Sequence, residues 1–325
     1  MTGSAKTSTA TELSGLLVVD KPQGMTSHDV VATTRRILAM RAVGHAGTLD
    51  PMATGVLIVL LGSCTKLSQF LTLEDKVYRA RVRLGQATDT LDAYGIQTDA
   101  CELAPALLDE LALVEESQTS ARVGGRIERA LMEERNRKVQ VPPAHSAIKQ
   151  NGMASYVRAR RGEQVVLPSR DVCVHRLDCV GASKNPPELL IEAHVSKGYY
   201  VRSLARDLGC SLGVPAHLTE LRRIRSGSFG LEAAVKLEQG AAVLRDAVQC
   251  IEQVARSMFP CCSLTQSGVL RALRGQAVCD QDFECAPGEA VSAWFAPTGN
   301  LVAVGDRSRG RPTVLRAFSH VEDLC

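Results

Sequence analysis

Aromatic side chains are scarce in this sequence: one Trp, five Tyr and six Phe make up 4% of 325 residues. Any tyrosine beside basic residues therefore carries weight. Long apolar runs are missing too. None reaches the ~18 residues of a membrane-spanning helix, which argues against a membrane protein. The eleven cysteines include no C-x-x-C pair and are odd in number. That argues against a zinc site and a disulfide scaffold, and a reducing, cytoplasmic compartment is expected. No Gly-Lys-Ser/Thr follows the glycine-rich loop near residue 50, so it is not a phosphate-binding P-loop. Residues 1–14 lack both the apolar core of a secretory signal and the arginines of a transit peptide, and read as a disordered lead. No internal repeat is visible.

Net charge is nearly absent, at +3 overall, but it is unevenly placed. Residues 121–161 hold ten Arg and Lys against three Glu, a local excess of +7. Such a concentration on a balanced body fits a polyanion groove. A solvated helix face with surface ion pairs accounts for it equally well.

What is present is an ordered alternation of strands and helices. Residues 15–20 read as a short buried strand, and Lys21-Pro22-Gln23-Gly24 as a turn. Thr26 and Asp29 have capping-box spacing, opening a helix with Val30, Val31, Ile37 and Leu38 on one face. The loop from Gly44 to Gly55 carries His45, Asp50, Thr48 and Thr54, and runs into the apolar Val56–Leu61, a buried strand. A short helix is expected over 65–73 and a half-buried strand over 77–85, where alternation has period two. Further expectations are a helix over 105–114, an arginine-rich helix over 155–161, and paired strands at 171–180 and 188–195. Val201, Leu204, Ala205, Leu208 and Leu212 mark a helix, with Arg202 and Arg206 on one side. Residues 221–225 form a strand with its charges outward, and 241–255 one more helix. After Phe259-Pro260 come short strands with Gly/Pro turns, a small separate β module. The class is α+β with a mixed, mostly antiparallel sheet.

The chemistry rests on a few residues. Asp50, on a loop joined to a buried strand, is the leading candidate, although Asp before Pro is also a common turn former. His45 could bind phosphate, orient the loop, or be a satisfied buried histidine. Tyr78 and the Tyr199-Tyr200 pair could stack on bases or simply pack in the core. Arg202 could serve the site or pair with Asp207 or Glu220. Together these permit a nucleic-acid-acting enzyme that uses one carboxylate and no metal.

The loop Gly44-His45-Ala46-Gly47-Thr48-Leu49-Asp50-Pro51-x-Ala53-Thr54-Gly55 resembles the catalytic signature of the TruB family of tRNA pseudouridine synthases. Further motifs follow in the family's order. They are Lys21-Pro22-x-Gly24-x-Thr26-Ser27, Lys76-x-Tyr78, Leu84-Gly85-x-x-Thr88-Asp89-Thr90-x-Asp92, Pro142-Pro143-x-x-Ser146-Ala147-x-Lys149, Lys197-Gly198-x-Tyr200-x-Arg202 and Leu221-Arg222-Arg223. The resemblance spans roughly residues 16–238. It implies a pseudouridine-synthase core over 15–258, with an RNA-clamping insertion over about 121–165. A PUA-like RNA-binding module, loosely matched, follows over 259–325. It also implies isomerisation of uridine 55 in the T-loop of tRNA. Asp50 would be the nucleophile, His45 would hold the opened T-loop, Tyr78 would stack on the base, and Tyr200 and Leu221 would line its pocket. Arg202 would pair with Asp50, and Lys21 and Asp92 would support the pocket. His145 stands where the family often has Tyr, Tyr199 where Thr is common, and 121–138 is longer and more basic than expected.

These residue types suit the chemistry. A carboxylate with an ordinary pKa near ~4 is ionised at neutral pH and attacks without a base to activate it. An adjacent guanidinium keeps it charged in a dry pocket. The target base must leave its stack at roughly a few kcal/mol, which an aromatic face offsets. Expected alongside are no cofactor, no metal, tRNA as partner, no membrane, no obligate protein partner and a monomer. The rivals are a guide-RNA-dependent synthase of the dyskerin type and a catalytically silent tRNA-binding protein.

Overall fold

Leu, Val and Ile fill the strand Thr54–Leu61, and every residue of it but Thr54 is buried. Burying one such side chain stabilises the fold by roughly 1.5–3 kcal/mol, so this strand anchors the sheet around it. In the computed structural model, residues 13–318 are described except 119–123, 147, 151–152, 156–157, 159–160, 162, 164, 166, 286–287 and 289–290. The rest of the expected lead, residues 1–12, lies outside them.

Strands β1 (Gly15–Lys21), β2 (Val43–Ala46), β3 (Thr54–Leu61) and β4 (Lys76–Leu84) belong to one nine-stranded sheet. So do β5 (Val174–Lys184), β6 (Pro187–Val195), β7 (Ala216–Ser226), β8 (Phe229–Gly230) and β9 (Gln249–Cys250). The order is β5-β6-β4-β7-β3-β1-β9, with β2 beside β3 and β8 beside β7. All pairs are antiparallel except β7 with β3, which run parallel at Arg222–Thr54 and Arg223–Gly55.

One edge of β3 belongs to β1 throughout. The other is shared: β2 covers residues 58–61, and β7 takes over at 54 and 55. The loop 47–53 leaves the sheet at this split. Gly55 is required there, since its φ is +98° and a Cβ would lie 2.2 Å from the Arg223 carbonyl oxygen.

Helices cover the sheet. The helix α1 (Ser27–Leu38) begins with the expected reciprocal capping box of Thr26 and Asp29. α2 (Pro105–Ser117), α3 (Gly125–Arg135) and α4 (Val201–Leu212) pack on the β4–β7 region, placing Leu111, Leu131, Leu204 and Leu208 in the core with Ala80 and Val82. On β4 the even positions are buried, and the odd ones carry outward arginines that pair with Glu188, Glu192 and Glu220. A second apolar cluster on the other side joins Val18, Val56 and Ile58 to a four-stranded sheet at the C-terminal end. Its strands are β10 (Cys261–Ser263), β11 (Val291–Phe295), β12 (Leu301–Asp306) and β13 (Thr313–Ala317).

Four expectations change. Residues 241–255 are not one helix but α5 (Gly240–Asp246) and α6 (Ile251–Met258), separated by β9. The break arises because Gln249 and Cys250 pair with Leu16 and Gly15. Residues 65–73 form a 3₁₀ turn, Gly62–Leu67, followed by a four-residue helix. The charges of 221–225 do not all face outward, because Arg223 is 1% exposed. Within the basic segment, Arg135 pairs with Glu128 and Arg137 with Glu134, acids already subtracted in the +7, and Arg137 also lies 3.7 Å from Asp207 of α4, so one charge of the excess is met by an acid from outside the segment. The helix expected over 155–161 falls mostly outside the described residues.

Candidate active site

The backbone around Asp50 is held from two sides. Ser27, the first residue of α1, donates from Oγ to the Leu49 carbonyl (3.2 Å) and accepts from the Leu49 N–H (2.9 Å). Lys21, the last residue of β1, donates from Nζ to the carbonyls of Met25 (2.6 Å), Pro22 (3.0 Å) and Pro51 (3.3 Å). A turn closed by the Ala53 N–H on the Asp50 carbonyl (3.0 Å) completes the loop. Leu49, Met52 and Ala53 are buried, so Asp50 sits on a packed support. Burial lowers the Lys21 pKa to about 8, with the Asp50 charge opposing the shift.

Arg202, in the first turn of α4, reaches Asp50. Its Nη2 donates to Oδ1 at 3.0 Å, and its Nε lies 2.9 Å from Oδ2 without the angle of a hydrogen bond. The same guanidinium donates to the carbonyls of Thr90 (3.0 Å) and His145 (2.9 Å) and lies 3.7 Å from Asp92. Asp92 is itself oriented by the Thr90 hydroxyl (2.6 Å) and the Tyr94 N–H (3.0 Å). Arg202 is 5% exposed in its side chain while Asp50 keeps 33%, so the carboxylate faces the cleft and the guanidinium backs it. Loss of hydration raises the Asp50 pKa from its ordinary value; Arg202 and Lys21 pull it down, and Asp92 adds to the rise.

Asp50, Tyr78, Tyr200, Arg202 and Leu221 line one cleft of about 260 Å³. That is below the ~300–1,000 Å³ of a drug-sized site and on the scale of one nucleobase. Burial raises the Tyr200 phenol pKa, and the Arg170 guanidinium lies 5.3 Å from its ring centre. Gln140 fixes the Tyr200 backbone through its side-chain amide, at 2.8 and 3.2 Å. Three of the predicted residues lie outside the cleft lining. Lys21 and Asp92 act through the Asp50 loop and through Arg202. His45, on β2, packs edge-on against His28 at 5.2 Å, with Nδ1 buried and unpartnered.

Sequence reasoning missed Arg223. It donates to the Val56 carbonyl (2.7 Å) and the Gly47 carbonyl (2.8 Å), acceptors on either side of the split between β2 and β7. A guanidinium thus replaces ladder bonds lost at the split and lines the cleft beside Asp50. Lys76 lines it as well, with its pKa lowered to about 8 by burial and by Arg223.

Residues 35–201 match the TruB family pseudouridylate synthase N-terminal domain, and residues 202–260 the tRNA pseudouridylate synthase B C-terminal domain. The chain belongs to the TruB family. Among its relatives, tRNA pseudouridine synthase B of Thermobifida fusca is 40% identical over 94% of this chain and 99% of that protein. The namesake from Cutibacterium acnes is 42% identical over 90% of this chain and 92% of its own. The fold is shared with the crystal structure of a Cbf5-Nop10-Gar1 complex, at a TM-score of 0.68 and 24% identity over 95% of this chain and 86% of that one.

For this TruB-family chain, Arg223→Met is expected to lower stability by about 2–4 kcal/mol, because a buried carbonyl (Val56) and a half-buried one (Gly47) lose their donor. A fall in the urea midpoint at an unchanged m-value checks this.

Proposed function

We infer that this protein is a tRNA pseudouridine synthase that converts uridine 55 of the T-loop to pseudouridine, with Asp50 as the nucleophile. The observation that carries the reading is the Asp50–Arg202 pair facing a nucleobase-sized cleft lined by Tyr78, Tyr200 and Leu221. The carboxylate attacks the flipped nucleotide, the bond between N1 and C1′ breaks, and the freed uracil turns. A bond from C5 to C1′ then forms as Asp50 leaves C1′ or the base unchanged, the C5 proton departs and N1 takes up a proton, so the product is an isomer of the substrate. Arg202 keeps Asp50 ionised at the moment of attack. Tyr78, facing the same cleft, stacks on the base and relays the departing proton.

The remaining roles follow from the same reading. His45 holds the opened T-loop, and Lys21 and Asp92 keep the Asp50 loop and Arg202 in place. The basic residues of 121–165 clamp phosphates, and residues 259–325 form a PUA-like RNA-binding module. The enzyme works in the cytoplasm as a monomer, without a protein partner. Among the described residues, no helix is long and apolar enough to cross a membrane.

The test is tritium release from an unmodified tRNA transcript carrying [5-³H]uridine. The full chain alone is expected to release one equivalent per tRNA, and none from a transcript with cytidine at position 55. A requirement for an added guide RNA, or release unaffected by the change at 55, overturns the reading.

A further inference from the structure

We propose that Asp75, His175 and His194 form a divalent transition-metal site of the zinc class, on the opposite face of the sheet from the cleft. On β4 the even-numbered Lys76 and Tyr78 face the cleft, so the odd positions face away from it. His194 on β6 pairs with Val77, one of those odd positions, and Asp75 directly precedes the strand. On β5 the ladder is bulged: Val174 opposes Val195 and Arg176 opposes His194, with His175 as the extra residue. Bulges re-aim side chains. Here His175 comes to lie beside His194, with ring centres 4.8 Å apart.

The ligand atoms converge. Asp75 Oδ2 lies 3.0 Å from His175 Nε2 and 4.0 Å from His194 Nε2, and the three atoms all fall within 4.8 Å of one another. Tetrahedral zinc with bonds of about 2.0–2.2 Å holds its ligand atoms about 3.4 Å apart. The observed separations straddle that value, and the side chains, 37–44% exposed, have room to settle. This exposure also leaves a fourth position for water. His175 turns its other nitrogen, Nδ1, toward the Cys173 sulfur at 3.8 Å, which leaves Nε2 for the metal. Two imidazoles and a carboxylate favour zinc, cobalt or nickel over magnesium or calcium, which prefer oxygen ligands. The bland alternative is an exposed His–Asp pair, but that leaves two adjacent imidazoles competing for one carboxylate. A shared cation uses both in their neutral form.

Such a metal would tie β5 and β6 to the joint before β4. At that joint the Asp75 carbonyl accepts from the Gly227 N–H (2.9 Å), and the Glu74 carbonyl accepts from Lys76 Nζ. Lys76 lines the cleft, so the site would brace one wall of it from behind. The C-x-x-C spacing that signals zinc ribbons is silent about ligands gathered from positions 75, 175 and 194.

The experiment uses the full chain stripped with EDTA, with Zn²⁺ alone titrated in competition with a chromophoric chelator. Wild type is expected to take up one equivalent that His175→Ala/His194→Ala does not, and Asp75→Asn to weaken it at least ~10-fold. Zn²⁺ should raise the melting temperature of wild type by roughly 2–4 °C and leave the double variant unmoved. Co²⁺ in its place should give a visible spectrum of nitrogen and oxygen ligation. The proposal fails if wild type binds no equivalent, if the folded double variant keeps it, or if the Co²⁺ spectrum shows thiolate charge transfer, which assigns the metal to cysteines.

Discussion

Asp50→Asn is expected to abolish pseudouridine formation while tRNA still binds. Asparagine has the size of aspartate but no anionic oxygen to attack with, so the covalent step has no substitute. Losses from removing a member of the catalytic machinery run to about 10⁴-fold or more, and tritium release should fall by at least that much. Binding should change little, because phosphate contacts dominate the positioning of a nucleic acid and an anionic carboxylate is not a phosphate ligand. Filter binding checks that half, and residual release within tenfold of wild type refutes the nucleophile assignment. The same variant makes a stability prediction. The Asp50 pKa is raised in the folded state, so the protonated form is the one that folding favours. That contribution is fully present below the ordinary carboxylate pKa and is lost as pH rises through the raised one. At neutral pH the ionised side chain therefore costs stability, and Asn removes the cost. The variant's urea midpoint should match or exceed that of wild type at pH 7–8, with the advantage shrinking as pH falls through the raised pKa and gone below about 4.

Much of this site can be read from sequence, for definable reasons. Asp50 and Arg202 are 152 positions apart, yet each sits in a local pattern of its own. One is a glycine-rich loop before a β-branched run, and the other the first turn of an amphipathic helix. Motif order then joins them. Arg223 shows where such reading stops. Period-two alternation places it on the same face as Leu221, a pocket residue, so a signal for it is present in the sequence. The charge of an arginine points the other way, toward solvent. What makes burial tolerable is tertiary: the carbonyls left where β2 gives way to β7, which no local pattern encodes. Residues 241–255 failed for a similar reason. Their helical pattern is genuine on both sides, but the pairing of Gln249 and Cys250 with β1 interrupts it. Arg135 and Arg137 look like an RNA surface in a charge count, and in the fold they pair with Glu128 and Glu134.

Arg202→Met should cause a loss that depends on pH, and the direction follows from what surrounds Asp50. Burial pushes its pKa up and Asp92 adds to that, while Arg202 opposes both by charge and by hydrogen bond. Removing the guanidinium leaves the upward influences with Lys21 alone against them, so the Asp50 pKa climbs further. In its proposed role Asp50 must be ionised to attack, so activity is expected to rise with pH through that pKa. The acid limb of kcat/KM should therefore move to higher pH in the variant, and the deficit should be larger at pH 6 than at pH 9. At neutral pH a loss of about 10²–10³-fold is expected, the usual effect of deleting one charged donor at a reacting centre. Arg202→Lys should return part of the acid limb, since a cation is restored, but not the full rate. Lysine cannot span Asp50, Thr90 and His145 with a planar fork. A merely structural arginine predicts something different: both variants lose activity in proportion to folded protein, with the limb unmoved. Stability separates the cases again. Deleting one partner of a buried pair typically costs about 3–5 kcal/mol. Asp50 keeps a third of its side chain open to the cleft and can take up a proton instead. The stability deficit of Arg202→Met should thus be smallest at low pH, where Asp50 is neutral, and should grow as pH rises and Asp50 ionises without its partner.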